Sequence, residues 1–129
     1  MIPVTCALIL HHGRVLATRR SPSMPLPGKW EFPGGKLHEG ESEEDCIRRE
    51  IREELALDIR ILRRLTPSPW HYDTFAITLI PFVADYTGGV LHLAEHSEAR
   101  WLTAAELPGL DWAPADVPIV EELLKSGYL

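Results

Sequence analysis

A chain of 129 residues, 45% hydrophobic and 25% charged, is long enough to bury a core of its own and has the makeup of one soluble globular domain spanning residues 1–129. No apolar run approaches the roughly 20 residues of a membrane span, which excludes a membrane partner of that kind. The formal charge of −6 excludes the basic stripe that a nucleic-acid polymer would require. It leaves room for a small phosphorylated ligand, because a bound cation supplies positive charge locally.

In chain order, Ile2 to Leu10 reads as a largely buried strand. The segment lacks the basic start and small-residue cleavage site of a signal peptide, so the cytoplasm is the expected location. His11-His12-Gly13 signals a turn, and Arg14 to Arg19 alternates as the returning strand of a hairpin. Ser21 to Lys29, with three prolines and a glycine, reads as a loop. Trp30-Glu31-Phe32 is short and extended because Pro33 disfavours helix before it, and Gly34-Gly35 breaks the chain again. Ser42 begins the clearest element, with Asp45 three residues on in the manner of a capping box. The helix runs to about Leu55, with Ile47, Ile51 and Leu55 along one apolar edge. Residues 57–65 and 75–86 read as strands, the second ended by Thr87-Gly88-Gly89. Val90 to Leu93 and Ala99 to Leu102 read as short strands, and Thr103 caps a helical turn through Leu107. Asp116 caps a last helix, Val117 to Lys125, with Pro118 in its first turn. Strands and helices mix without βαβ alternation, which predicts an α+β fold with a central mixed sheet and helices packed on its faces. Cys6 and Cys46 have no metal or redox spacing partner and read as small buried thiols.

Helix 42–55 is crowded with acid. Glu50, Glu53 and Glu54 sit at i, i+3 and i+4 and therefore share one face. Like charges at these spacings repel by a few tenths of a kcal/mol per pair. The residues alone leave two readings: a solvated acidic face balanced by Arg48, Arg49 and Arg52, or a site for a divalent cation. Mg²⁺ takes hard oxygen ligands, usually a few carboxylates together with substrate phosphates.

The residues before the helix separate these readings. Gly35, five residues, Glu41, seven residues, then Arg49-Glu50-Ile51-Arg52-Glu53-Glu54-Leu55-Ala56-Leu57 resembles the signature box of the Nudix hydrolases, G-x5-E-x7-R-E-U-x-E-E-x-G-U, where U is a bulky apolar residue. One specified position departs from it: Ala56 stands where the box has glycine, at the helix exit, and removes no ligand. The resemblance extends over nearly the whole chain. Trp30-Glu31-Phe32-Pro33-Gly34-Gly35-Lys36, Glu95-His96 with Trp101, and Ala113-Pro114-Ala115-Asp116-Val117-Pro118 are similar to segments of the MutT-type branch, which includes 8-oxo-dGTP diphosphatases and CTP pyrophosphohydrolases.

That resemblance implies an α/β/α sandwich with helices on both faces of the sheet. It also implies a pyrophosphohydrolase that uses Mg²⁺ or Mn²⁺ to cut a nucleoside triphosphate into a monophosphate and pyrophosphate. Glu50, Glu53 and Glu54 correspond to metal-binding glutamates, and the Gly34 carbonyl to a further ligand. Arg49 corresponds to the residue that orients Glu50, and Gly35 and Glu41 to structural positions of the box. Glu95 matches a loop glutamate that serves as general base or extra ligand. Arg20, Phe32 and Asp116 match positions lining the base. Lys36 is either a phosphate contact or a solvated lysine, and Phe32 and Trp30 either stack on a base or fill the core. Asp116 is either a plain helix cap or a base acceptor. An ionised carboxylate only accepts hydrogen bonds, which favours cytosine-like or (oxidised) guanine-like bases with donor edges. His71, His92 and His96 are expected at the surface. One alternative shares the box: hydrolysis of another linked diphosphate, such as ADP-ribose or a dinucleoside polyphosphate. Another is a catalytically silent nucleotide-binding domain, which should have lost box glutamates, whereas Glu50, Glu53 and Glu54 all remain. The assembly is expected to be a monomer or a homodimer.

Overall fold

A computed structural model describes residues 1–129. Eight strands form one mixed sheet: β1 (Ile2–His11), β2 (Arg14–Arg19), β3 (Trp30–Glu31), β4 (Gly34–Lys36), β5 (Leu57–Arg64), β6 (Ser68–His71), β7 (Ala76–Gly89) and β8 (Glu98–Leu102). Two α-helices accompany it, α1 (Glu43–Leu55) and α2 (Val117–Ser126), with short 3₁₀ turns at Leu107–Gly109 and Pro114–Asp116. Neither helix is long and apolar enough to cross a membrane.

β1 is central. It pairs in parallel with β7 from Ile2↔Ile77 to Leu10↔Asp85. Its other edge takes β2 at the C-terminal end and β4 at the N-terminal end, both antiparallel. β3 and β8 pair with β2, and β5 and β6 with β7.

The alternation of side chains across β1 and β2 divides the core in two. Cys6, Leu8, Val15 and Ala17 face one side and pack with Ile119, Val120 and Leu123 of α2. Ala7, Ile9 and Leu16 face the other and pack with Ile47, Ile51 and Leu55 of α1. The helices therefore cover opposite faces, as the α/β/α reading requires. The apolar edge of α1 is fully buried, and Cys6 and Cys46 are free and buried as expected.

The local readings hold for the longer elements and fail at several glycines and prolines. Ser42 caps α1, its Oγ accepting from the Asp45 N–H at 3.1 Å. The reciprocal bond of a capping box is absent, and the Asp45 carboxylate pairs with Arg48 instead. Gly34-Gly35 does not break the chain. It pairs with Cys6 and Thr5, so close that a Cβ on Gly34 would lie 1.9 Å from the Thr5 carbonyl oxygen. β7 does not stop at Tyr86 but runs on through Thr87 and Gly88 to end at Gly89, because the two glycines pair with Asp58 and Leu57 of β5. β6 was not expected from a segment holding Pro67 and Pro69. Its only partner is β7, and proline is tolerated on such an edge.

Val90 to Leu93 forms no strand. The backbone N–H groups of His92 and Ala94 instead donate to the Leu55 and Glu54 carbonyls, closing the C-terminal end of α1. Thr103 forms a tight turn with Glu106, whose carboxylate accepts from both its N–H and its hydroxyl at 2.9 Å, and the helical hydrogen bonding shifts to the 3₁₀ turn after it. Asp116 does not cap α2 with its side chain, which is committed across the molecule to Phe32.

Candidate active site

A cleft of about 420 Å³ opens between β1, β4, the loop after β2, the β6–β7 turn and the segment before α2. Such a volume suits a nucleotide-sized ligand. Its lining joins two chemistries, one from the glycine strand and α1, the other from residues scattered along the chain.

At the first end, Gly34, Gly35, Lys36 and Glu54 line the cleft. Glu50 packs its carboxylate directly on Gly35, where a Cβ would fall 2.2 Å from Glu50 Cδ. Gly35 is thus required by close approach rather than by a turn. Arg49 organises the neighbourhood. Its guanidinium grips both oxygens of Glu41, at 2.7 and 2.9 Å, and also reaches Glu50 Oε1 at 2.8 Å, Glu53 Oε2 at 3.1 Å and the Lys36 carbonyl at 3.3 Å. This fork ties the loop after β4 to α1. The bidentate bond to Arg49 holds the Glu41 carboxyl down at about 2, and the same bonds push Arg49 further up.

The three box glutamates share a helix face but not one environment. Glu53 is 60% exposed, whereas Glu50 is 12% exposed. Glu54 is half-buried, and its buried Oε2 has no hydrogen-bond partner. Burial, then the charges of Glu50, Glu31 and Glu95, push its carboxyl up to about 8. Glu95 itself is exposed, on the loop that closes the end of α1. No three histidine, cysteine, aspartate or glutamate side chains converge into a ready-made metal cage. The donor set fits a divalent cation all the same. It is all oxygen, it includes an orphaned buried carboxylate atom, and it is gathered on a glycine strand that a side chain would fill.

At the second end stand Arg20, Glu31, Phe32 and Asp116. Arg20 Nη1 donates to Glu31 Oε1 at 2.7 Å, and its Nε donates to the Pro25 carbonyl. Phe32 is buried with its ring 4.9 Å from that of Trp112, so it is a core residue that also walls the cleft. Trp30 is buried in the core. Asp116 is only 3% exposed, and its Oδ1 accepts from the Phe32 N–H at 2.9 Å. Burial, reinforced by Glu31, pushes its carboxyl well above the usual range. That shift favours the protonated form, which would donate one hydrogen bond as well as accept, whereas the ionised form only accepts. His96 corrects the expectation of a surface histidine. It is buried, with Nε2 2.8 Å from Glu31 Oε2, while His71 and His92 are exposed as expected.

Several lining residues escaped the sequence reading. Tyr72 and Phe75, with ring centroids 4.9 Å apart and planes tilted by 31°, and Met24 and Leu26 give this end apolar walls. Their signal was faint, two aromatics three apart in a turn. Glu31, which joins Arg20 and His96, carried none beyond its neighbours.

The NUDIX domain model matches residues 1–123. The chain is 33% identical over 127 residues to a Mycobacterium tuberculosis protein provisionally named 8-oxo-dGTP diphosphatase 2, covering 95% of this chain and 88% of the relative. It is 30% identical over 124 residues to the CTP pyrophosphohydrolase of Escherichia coli, covering 96% and 92%. Among solved structures it is similar to the DNA mismatch repair protein MutT of methicillin-resistant Staphylococcus aureus, with a TM-score of 0.79 and 36% identity over 98% of this chain and 97% of that one. The chain belongs to the Nudix family and is a Nudix hydrolase. Hydrolases of this family generally use divalent metal ions.

Proposed function

We propose that residues 1–129 act as one domain, a Mg²⁺-dependent pyrophosphohydrolase of nucleoside triphosphates that works in the cytoplasm as a monomer or homodimer, with Mn²⁺ an alternative ion. Water would cleave between the α and β phosphates, giving a monophosphate and pyrophosphate. The observation that carries this reading is the buried, unpartnered Oε2 of Glu54 at the cleft, beside a glycine strand that only an uncluttered backbone fits. The names of the two relatives favour oxidised or modified triphosphates, such as 8-oxo-dGTP, or CTP-like nucleotides as substrates.

Glu50, Glu53 and Glu54, with the Gly34 carbonyl and Glu95, would hold the ion. When bound, it supplies positive charge that offsets the phosphate oxygens and makes a neighbouring water more acidic. The protein's own groups do the rest. Arg49 holds the Glu50 carboxylate against Gly35. Lys36 lines the cleft as a cation for a phosphate oxygen. Glu95, exposed on its loop, would either join these ligands or take a proton from water. Arg20 and Asp116 meet the base against the Phe32 wall, and Tyr72 and Phe75 offer apolar surface for it.

The test is pyrophosphate release with Mg²⁺ from a panel holding 8-oxo-dGTP, dGTP, CTP and dCTP, with ADP-ribose and a dinucleoside polyphosphate as further arms. Turnover in the first group with pyrophosphate as product is expected. Turnover only of ADP-ribose or the dinucleotide would replace this reading with hydrolysis of another linked diphosphate. Binding without any turnover would make the chain a silent nucleotide-binding domain.

A further inference from the structure

His96 is a buried imidazole near the cleft for which the chemistry above has no use. Its side chain is 1% exposed. A histidine kept only for packing usually satisfies both ring nitrogens. Here Nδ1 is buried with no partner, and the single bond is made by Nε2, at 2.8 Å, to Glu31 Oε2. The other oxygen of Glu31 takes Arg20 Nη1 at 2.7 Å. Glu31 and Arg20 are each 18% exposed and both line the cleft, whereas His96 does not.

Three elements meet in this chain of contacts. Glu31 lies on β3 and pairs with Thr18 of β2. Arg20 follows β2 directly. His96 precedes β8, and the next residue, Ser97, donates its N–H to the Arg19 carbonyl at 3.0 Å. A planar carboxylate bonded at both oxygens cannot swivel. With Oε2 released, Glu31 would be free to rotate about its side-chain bonds, and the Arg20 guanidinium bonded to its other oxygen would turn with it.

We propose that His96 is a positioning residue that, by bonding the far oxygen of Glu31, sets where the Arg20 guanidinium stands in the nucleotide cleft. This rests on the reading of Arg20 as a nucleotide contact. His96 touches no substrate. Its action is transmitted through one carboxylate, so the loop that carries Glu95 also sets the geometry of the base end.

The experiment is steady-state kinetics with Mg²⁺ on the triphosphate of the panel that turns over fastest, using His96→Leu, His96→Gln, Arg20→Met and the Leu/Met double variant. Glutamine places an N–H the same number of bonds from the backbone as Nε2, and leucine deletes it. His96→Leu is expected to raise KM about 10-fold with kcat within about 3-fold, and His96→Gln to bring KM back to within about 3-fold of the starting protein. In the Arg20→Met background, His96→Leu is expected to add less than about 2-fold, because the group it positions is gone. Should the leucine variant not fold, His96→Asn, whose N–H ends one bond short, takes its place with the same expectation. A glutamine variant no better than leucine, a loss confined to kcat, or a full additional loss on top of Arg20→Met would each overturn the proposal. Binding of CMP and GMP, followed by tryptophan fluorescence on the same variants, separates the two levels. If no triphosphate is turned over, the proposed reaction falls and the monophosphate affinities decide His96 by the same pattern. A protein that binds neither monophosphate and turns over no triphosphate refutes both.

Discussion

The two ends of the cleft are built in opposite ways. Apart from Glu95, the proposed phosphate end comes from 21 consecutive residues, Gly34 to Glu54, and its order is enforced by one arginine fork and one glycine contact. The base end draws Arg20, Glu31, Phe32, Tyr72, Phe75, His96 and Asp116 from six separate elements and turns. The first is polar and charged, with glutamates graded from exposed to buried. The second is more apolar, with Arg20, the Glu31 carboxylate hydrogen-bonded by Arg20 and His96, and the buried Asp116 carboxyl. A local site tolerates change elsewhere in the fold, whereas a scattered one depends on the packing that gathers it.

The largest expected effect falls at the phosphate end. Glu54→Gln should lower kcat by about 10³-fold or more, since it removes an anionic oxygen from the proposed ion site. The same variant sharpens the electrostatic account. Glu54 holds its proton up to about 8 when folded, against a usual 4.5. The folded state is therefore favoured fully below 4.5, and that favour is lost as pH rises through 8. Urea titrations of the metal-free protein should show stability falling between pH 5 and 9 by a few kcal/mol, and Glu54→Gln should flatten the slope. An unchanged slope would refute the burial argument, and a normal kcat would refute the site.

Gly35→Ala ranks next. Its Cβ would collide with the Glu50 carboxylate, and a displacement on the order of 1 Å at a reacting centre costs about 10²-fold in rate. Activity near the unmodified level would show that Glu50 needs no such cradle. At the base end, Asp116→Asn should change discrimination rather than chemistry. The ratio of kcat/KM between guanine-type and cytosine-type triphosphates should shift about 10-fold with kcat for the better one little altered. In the unmodified protein that ratio should itself vary with pH, because Asp116 changes from donor to acceptor as it ionises. A pH-independent ratio would remove Asp116 from base recognition.

The smallest expected effect lies at the helix exit between the two regions. Ala56 closes α1 in a left-handed conformation at φ 57°, which costs an alanine about 1 kcal/mol relative to glycine. Ala56→Gly should raise stability by about that amount in denaturant titrations and leave kcat/KM unchanged. A loss of stability would mean that the methyl group packs usefully.

The longer elements were legible because their periodicity is local: Ile47, Ile51 and Leu55 announced the buried edge of α1, and Ile2 to Leu10 the central strand. Glycine and proline misled the reading where pairing overrode their turn chemistry, at Gly34-Gly35, Gly88-Gly89 and Pro69. The box residues could be found because carboxylates gathered on one helix face leave their spacing in the chain. Spacing did not tell Glu54 from Glu53, because burial is set by what packs around the helix and not by the helix itself.

The sequence by itself determined the spacing on which the proposed phosphate chemistry rests, since Gly35, Glu41, Arg49, Glu50, Glu53 and Glu54 stand within one short strand, one loop and one helix. Only the tertiary structure decided the character of the base end. Asp116 became a high-pKa carboxyl bonded to Phe32, and His96 a buried partner of Glu31, because residues 84 and 65 positions apart in the chain were packed together away from water. Desolvation and contact are properties of that packing, and no local pattern of residues encodes them.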